Sequence, residues 1–409
     1  DEAMSRSDAV GDKAAQRNVA PGEVFSAFLK LGVTSFGGPI AHLGYFRDEL
    51  VQRRRWIDEQ GYADLVALCQ FLPGPASSQV GFALGLLRGG PLGALSAWIA
   101  FTLPSAILLV AFAYGATAIG GPVGAGIITG LKIVAVAIVA QAVWGMAKSL
   151  CPDRERATIA LGAVLIVVFV AGAWGQIAAI VAGAIAGLFV CRSAVTDSTG
   201  HIAFPVSRGF GVLCLVLFAV LLVALPLAAA LLPSQPVAVF DAFFRAGALV
   251  FGGGHVVLPL LEQEVVRTGW TTPEVFLAGY GAAQAVPGPL FTFAAYLGAV
   301  LGPEPNGIAG AAIALVAVFL PGFLLLLGVI PFWESFRAKP GAQALMRGAN
   351  AAVVGILGAA LYSPVFTSGI TSPQAFALAL TCFVLLMTWK APPWAVVLVA
   401  AAGGVLISH

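Results

Sequence analysis

The chain has 409 residues, 59% hydrophobic and 10% charged, with a mean hydropathy of +0.96 and a formal net charge of +2. Soluble domains carry about 25% charged residues, so this composition cannot cover a water-facing surface and excludes a soluble globular fold. The basic residues are scattered among loops, which excludes a nucleic-acid footprint, and apolar runs of about 20 residues exclude a membrane β-barrel, whose strands alternate polarity over about 10 residues.

In chain order, residues 1–22 form a polar tail without an apolar signal-peptide core. Apolar segments follow near 24–46, 62–88, 92–116, 126–147, 157–171 and 174–191. They recur near 239–261, 274–301, 306–332, 341–362, 372–389 and 392–408. One further segment near 209–232 has no counterpart. The two sets share landmarks: Phe36 and Phe251, or Lys30 and Arg245, lie 215 positions apart. Trp56 and Trp270, or Pro73 and Pro287, lie 214 apart, and Pro104 and Pro321 lie 217 apart. The order of the landmarks identifies a tandem duplication, with repeats over 23–192 and 237–409 joined by a loop and helix over 193–236.

The odd linking helix turns the second repeat over, and the loop charges agree. "RDELVQRRRW" (47–56) and "KSLCPDRER" (148–156) are basic, whereas the loop near 117–125 is uncharged. In the second half the loop matching 117–125 holds Arg337 and Lys339, and the loop near 363–371 carries no charge. By the positive-inside rule the repeats are inverted, as in many secondary transporters, and the N-terminus is expected in the cytoplasm. Residues 47–55 and 117–125 then lie on opposite sides with two segments between them. One segment must enter and return, and those carrying "FGG" and "PGP" contain the breaks.

"SFGGP" (35–39), "FLPGPASSQ" (71–79), "FGGGH" (251–255) and "AVPGPLFTF" (285–293) interrupt apolar helices. Proline inside a helix costs about 3 kcal/mol, and glycine admits a positive φ. Such breaks expose backbone N–H groups, tolerable at membrane depth only where they are buried in protein or line a cavity. Four half-helix N-termini, two from each repeat, could make an anion site. The donors are backbone N–H groups around Gly37–Gly38 and Gly74–Pro75 and their counterparts Gly252–Gly253 and Gly288–Pro289, where the prolines, lacking an N–H, begin the half-helices and Pro73 and Pro287 open the breaks. Ser35, Ser77, Ser78, Gln79 and Thr292 add side-chain contacts. Lys30 and Arg245 are either counter-ions for the anion or interfacial cations reaching outward. His255 either touches substrate or packs, and Gln70 and Gln284 either donate to the anion or cap broken backbone. The same breaks also fit simple kinks.

Asp64, Asp241 and Glu274 read as segment-end residues, so no carboxylate relay is visible within a span. No P-loop, nucleophile–base set or metal-ligand spacing stands out, and the five cysteines read as free thiols. No cofactor, metal or catalytic role is therefore expected.

"FGGP", "RRRW", the glutamine before "LPGP", "GLLRGG" and "TLPS", with "FGGG", "QAVPGP" and "GANAAVVGIL" in the second half, resemble the chromate ion transporter family. The resemblance covers nearly the whole chain after about residue 22, at the length of the two-domain members. It implies chromate export from the bacterial cytoplasm across the inner membrane, conferring resistance, with sulfate as the related oxyanion. Sulfate uptake, oxyanion exchange or an anion channel are alternatives, and a homodimer is left open.

Overall fold

The computed structural model describes residues 19–36, 38–118, 121–170, 172–192, 203–251, 254–337 and 339–408. Most of the polar tail, together with Gly37, Gly252 and Gly253, lies outside the described residues. The described chain is helical, with no strand among those residues.

The first repeat opens with four short pieces. They are α1 (Pro21–Thr34), α2 (Pro39–Phe46) running into a π-helical turn (Arg47–Arg53), and α3 (Glu59–Phe71), followed by the first arm of α4 (Ala76–Ala118). Proline begins both α1 and α2, where its missing N–H has no intrahelical acceptor to lose. The Asp58 carboxylate caps α3 by accepting from the Gly61 amide at 2.7 Å. At 14 residues, α1 is about 21 Å long, short of a hydrocarbon core of about 30 Å.

Although α4 is a continuous 43-residue stretch, Gly90 breaks it with φ 65° and ψ −158°. Across this break Gly85 and Gly93 pack backbone to backbone, so a Cβ on either would strike the other's carbonyl. The stretch is therefore a hairpin, not one long span: a first arm to residue 89, then a second arm from Pro91. The second repeat repeats the device with Gly298 against Gly310.

The turn at Gly90 returns to where the chain began. The Val19 amide donates to the Arg88 carbonyl at 2.8 Å, and Arg54, just past the π-helical turn, lies 3.8 Å from Glu23. Thus α1/α2 enter and return on one side, and α3 with the first arm of α4 do the same. Only the second arm of α4 then runs to the opposite end of the molecule, where Tyr114 meets Gly307. The PGP segment thus turns back towards the end at which it began, a path compatible with the odd crossing expected from the loop charges, and the FGG segment turns back as well.

The rest of the repeat is α5 (Gly121–Leu150), α6 (Arg154–Phe169) and α7 (Ala173–Val190), and α8 (Arg208–Leu231) links the halves. The second repeat runs α9 (Gln235–Ala248), α10 (Val257–Val265), α11 (Pro273–Ala283), α12 (Phe293–Val300), α13 (Gly307–Val329), α14 (Trp333–Arg337), α15 (Pro340–Ala360), α16 (Pro373–Met387) and α17 (Pro393–Ile407). Its orientation is opposite. Gly307, at the start of α13, abuts the Tyr114 hydroxyl near the far end of α4, while Trp333 beyond the other end of α13 reaches Asp64 of α3.

The repeats interlock. The C-terminal pair of each packs on the long helix of the other: α6 and α7 on α15, α16 and α17 on α5. Glycines make both seams close, with Gly187 against Gly348 and Gly404 against Gly130. Small residues are what membrane helices use to bring backbones together, because lipid supplies no hydrophobic drive between them.

Candidate functional site

The four breaks meet at the centre of this interlock. Gly74 of the first PGP donates its amide to the Val250 carbonyl at 2.7 Å, just before the second FGG segment. Reciprocally, Gly288 of the second PGP donates to the Ser35 carbonyl at 2.9 Å, just before the first. Each repeat thus ties its PGP turn to the other repeat's FGG turn. Gly74 and Gly288 adopt φ of 127° and 95°, a region in which a Cβ is strained. Gly38, with φ 84°, precedes Pro39 at the start of α2.

This geometry alters the roles expected of several residues. The Gly74 and Gly288 amides are spent holding the repeats together and are not free for an anion. The Gln79 amide nitrogen donates to the carbonyls of Pro73 at 3.1 Å and Gly322 at 2.9 Å, bracing the PGP turn against α13. Thr292 donates to the Pro289 carbonyl at 2.7 Å and lies 3.0 Å from the Ser105 hydroxyl. His255 bonds the Tyr280 hydroxyl at 2.7 Å through Nδ1, its ring facing Gly38. Pro75 packs against Gly322, and Pro287 is buried.

Lys30 and Arg245 do occupy matching places, but each is already paired. Lys30 Nζ lies 2.7 Å from Glu49, with its side chain 49% exposed. Arg245 lies 2.6 Å from Asp241 and 3.3 Å from Glu264. Glu49 and Glu264 are themselves 215 positions apart, so the ion pair is duplicated as a unit. Glu49, Asp241, Glu262 and Glu264 are all buried, and Asp241 lies inside α9 rather than at its end. The expectation that no carboxylate sits within these segments is corrected. A cation held by buried carboxylates neutralises them first, since an unpaired buried charge is costly.

What remains around the breaks is a set of buried polar atoms without a partner among the described residues. They include the hydroxyls of Ser35, Ser78 and Thr102, the amide nitrogen of Gln284, His42 Nε2 and the Gln79 carbonyl oxygen. The His42 Nδ1 lies 3.3 Å from the Ser77 hydroxyl. In the tautomer where Ser77 donates to that nitrogen, Nε2–H is a further unused donor. Leaving a buried polar group unmet costs about 1–3 kcal/mol, and five of these six groups can donate. The chemistry missing from the site is that of an acceptor-rich ligand. His42 and Thr102 were not among the sequence candidates; His42 sits on α2 just after "FGGP", and Thr102 on α4 is the first residue of "TLPS".

The matching glutamines part company. Gln284 is half-buried, with its amide nitrogen unmet, whereas Gln70 is exposed. The neighbouring packing gives the reason: α11 lies against α5, with Gly281 on the Leu131 backbone, while α3 makes no comparable contact with α15, the counterpart of α5. The two repeats share a sequence pattern but are packed differently around it.

Comparison with known proteins assigns the lineage. The family model described as chromate transporter matches this chain twice, over residues 22–188 and 237–405. The chain is 29% identical over 407 residues to a probable chromate transport protein of Synechococcus elongatus, covering 93% of each. It is 29% identical over 401 residues to the chromate transport protein of Pseudomonas aeruginosa, covering 93% of this chain and 90% of that one. Against the chromate transport protein of Cupriavidus metallidurans the identity is 27% over 379 residues, covering 89% and 87%. No solved structure matches. A duplicated, all-helical membrane fold with paired helix breaks, matched over both repeats, places this chain in the chromate transporter family.

Proposed function

We propose that this protein is a secondary transporter that exports chromate from the bacterial cytoplasm, conferring resistance, by alternating access around the interleaved FGG and PGP breaks. The observation that carries the reading is the cluster of unmet donors: Ser35, Ser78, Thr102, Gln284 and His42. Chromate is a tetrahedral dianion with acceptor oxygens only, and it suits donors that no described residue satisfies. The first turns of α2 and of the α4 arm add free N–H groups and the positive ends of helix dipoles. Gly38, Pro39, Pro75 and Ser77 shape those turns. Lys30 and Arg245, held by carboxylates, set the electrostatics of the site from a distance.

Alternating access is supported by the unequal packing of equivalent elements, with α11 closed on α5 and α3 making no comparable contact with α15, the counterpart of α5. In an inverted repeat, exchanging the two packings exchanges the open side. A cytoplasmic N-terminus is supported by the basic loop at the end where α1 begins, and the inner membrane is part of the same reading. An inside-negative potential drives a dianion outward, with about 2.3 kcal/mol per charge per 100 mV.

The test is flux in proteoliposomes under an imposed potential, with chromate and sulfate as competing substrates. Saturable chromate flux that follows the potential and is accelerated by chromate on the far side supports an exporter. Flux without saturation or trans-acceleration would mean a channel, and sulfate flux indifferent to chromate would overturn the substrate assignment.

A further inference from the structure

A cavity with polar walls lies away from the breaks, at the end of the molecule opposite the arginine-rich loops. It has a volume of about 320 Å³ and lies where the end of α6, the start of α7, α10 and the π-helical turn Leu361–Phe366 gather. Two of its lining side chains, Gln176 and Glu262, are almost wholly buried. Gln176 donates to the Pro259 carbonyl at 3.0 Å, which opens the wall beside α10. Glu262 accepts from Arg267 Nε at 3.2 Å and from the Gln263 amide at 3.3 Å.

Two features define what this cavity lacks. The Gln263 carbonyl oxygen is buried without a donor, beside the Glu262 carboxylate. Arg267, 55% exposed, supplies a guanidinium at the mouth. One acid and one base leave the lining with no net charge, which gives a dianion no net attraction. A ligand carrying its own separated charges is matched at both ends. An ammonium would supply the N–H donor that Gln263 lacks and sit against Glu262, while a phosphate would meet the planar fork of Arg267. The lining also includes Val168 and Tyr362, 62% and 71% exposed, with Phe169 alongside. These lie at helix ends, where a tyrosine belongs at the membrane interface and apolar neighbours meet acyl chains.

We propose that this cavity binds the headgroup of an aminophospholipid, its primary ammonium between Glu262 and the Gln263 carbonyl and its phosphate on Arg267. Among the described residues the site has no counterpart in the first repeat. The positions that repeat Glu262, Gln263 and Arg267 in the first half are Arg47, Asp48 and Gln52, and Arg47 is committed to Glu59 at 2.8 Å on an exposed face. The proposal is independent of the transported ion.

The test is native mass spectrometry of the purified full chain with added phosphatidylethanolamine, phosphatidylcholine or phosphatidylglycerol, read alongside the melting temperature. The expected result is at least tenfold preferential retention of phosphatidylethanolamine, whose ammonium can donate, over phosphatidylcholine, whose quaternary nitrogen cannot. Arg267→Gln, at a half-exposed position, lowers that retention about tenfold, and Glu262→Gln removes the discrimination between the two lipids. Equal retention of both lipids by the wild-type protein would overturn the proposal. So would unchanged retention in Arg267→Gln, or persistent discrimination in Glu262→Gln. Competition by soluble phosphoethanolamine at the lipid's own concentration would overturn the lipid as the source of the headgroup.

Discussion

Arg245 carries more of the fold than Lys30, although the two occupy the same place in their repeats. Removing Arg245 leaves Asp241 and Glu264 buried together with no cation at hand. Removing Lys30 leaves Glu49 still paired with Arg54 at 3.0 Å. Arg245→Ala is therefore expected to cost about 3–5 kcal/mol and to deplete folded protein. Lys30→Ala, which removes a half-exposed partner, is expected to cost about 1 kcal/mol or less. Melting in detergent and the yield of folded protein check both, and equal effects would refute the distinction. The sequence shows the matched cations plainly, because a charge in an apolar run stands out. It does not show their partners as readily: Glu49 and Glu264 lie among other charges of the loops, and only the shared 215-residue spacing marks them.

At the scale of elements, the breaks are the repeat's defining device, and they were legible because proline and glycine have few alternative uses inside apolar helices. The hairpin at Gly90 was less so. It depends on Gly85 meeting Gly93, a contact between two positions that each look like ordinary membrane-helix glycines. Gly93→Ala forces a Cβ into the Gly85 carbonyl, and overpacking of this kind costs about 1–3 kcal/mol. Gly44→Ala on α2 meets nothing within 4 Å and is expected to be neutral, or stabilising by up to about 1 kcal/mol through helix propensity. Thermal unfolding of the two variants side by side measures the difference. A Gly93→Ala protein as stable as Gly44→Ala would remove the hairpin from the account. Gln70 shows the limit of spacing as a guide. It matches Gln284 in sequence, yet the different packing of α3 and α11 leaves one outside and the other within.

For the whole molecule, duplication and inversion were readable from landmark order and from the swap of basic loops. The reciprocal bonds, Gly74 to Val250 and Gly288 to Ser35, were not, since sequence order says nothing of which turn meets which across repeats. The inverted arrangement predicts that cysteines introduced at Arg53 and Thr268 label from opposite sides of the membrane with an impermeant thiol reagent. Labelling of both from one side would contradict it. The central claim is that unmet donors between the interlocked repeats bind a tetrahedral oxyanion. Hydrogen bonds to a charged group contribute about 1.5–3 kcal/mol each, while the Ser35 and Ser78 hydroxyls make no hydrogen bond among the described residues. Equilibrium chromate binding by the purified protein, wild type against Ser35→Ala/Ser78→Ala, tests this most directly. The account predicts an affinity lower by about tenfold or more with an unchanged melting temperature, and an unchanged affinity in the double variant would contradict it.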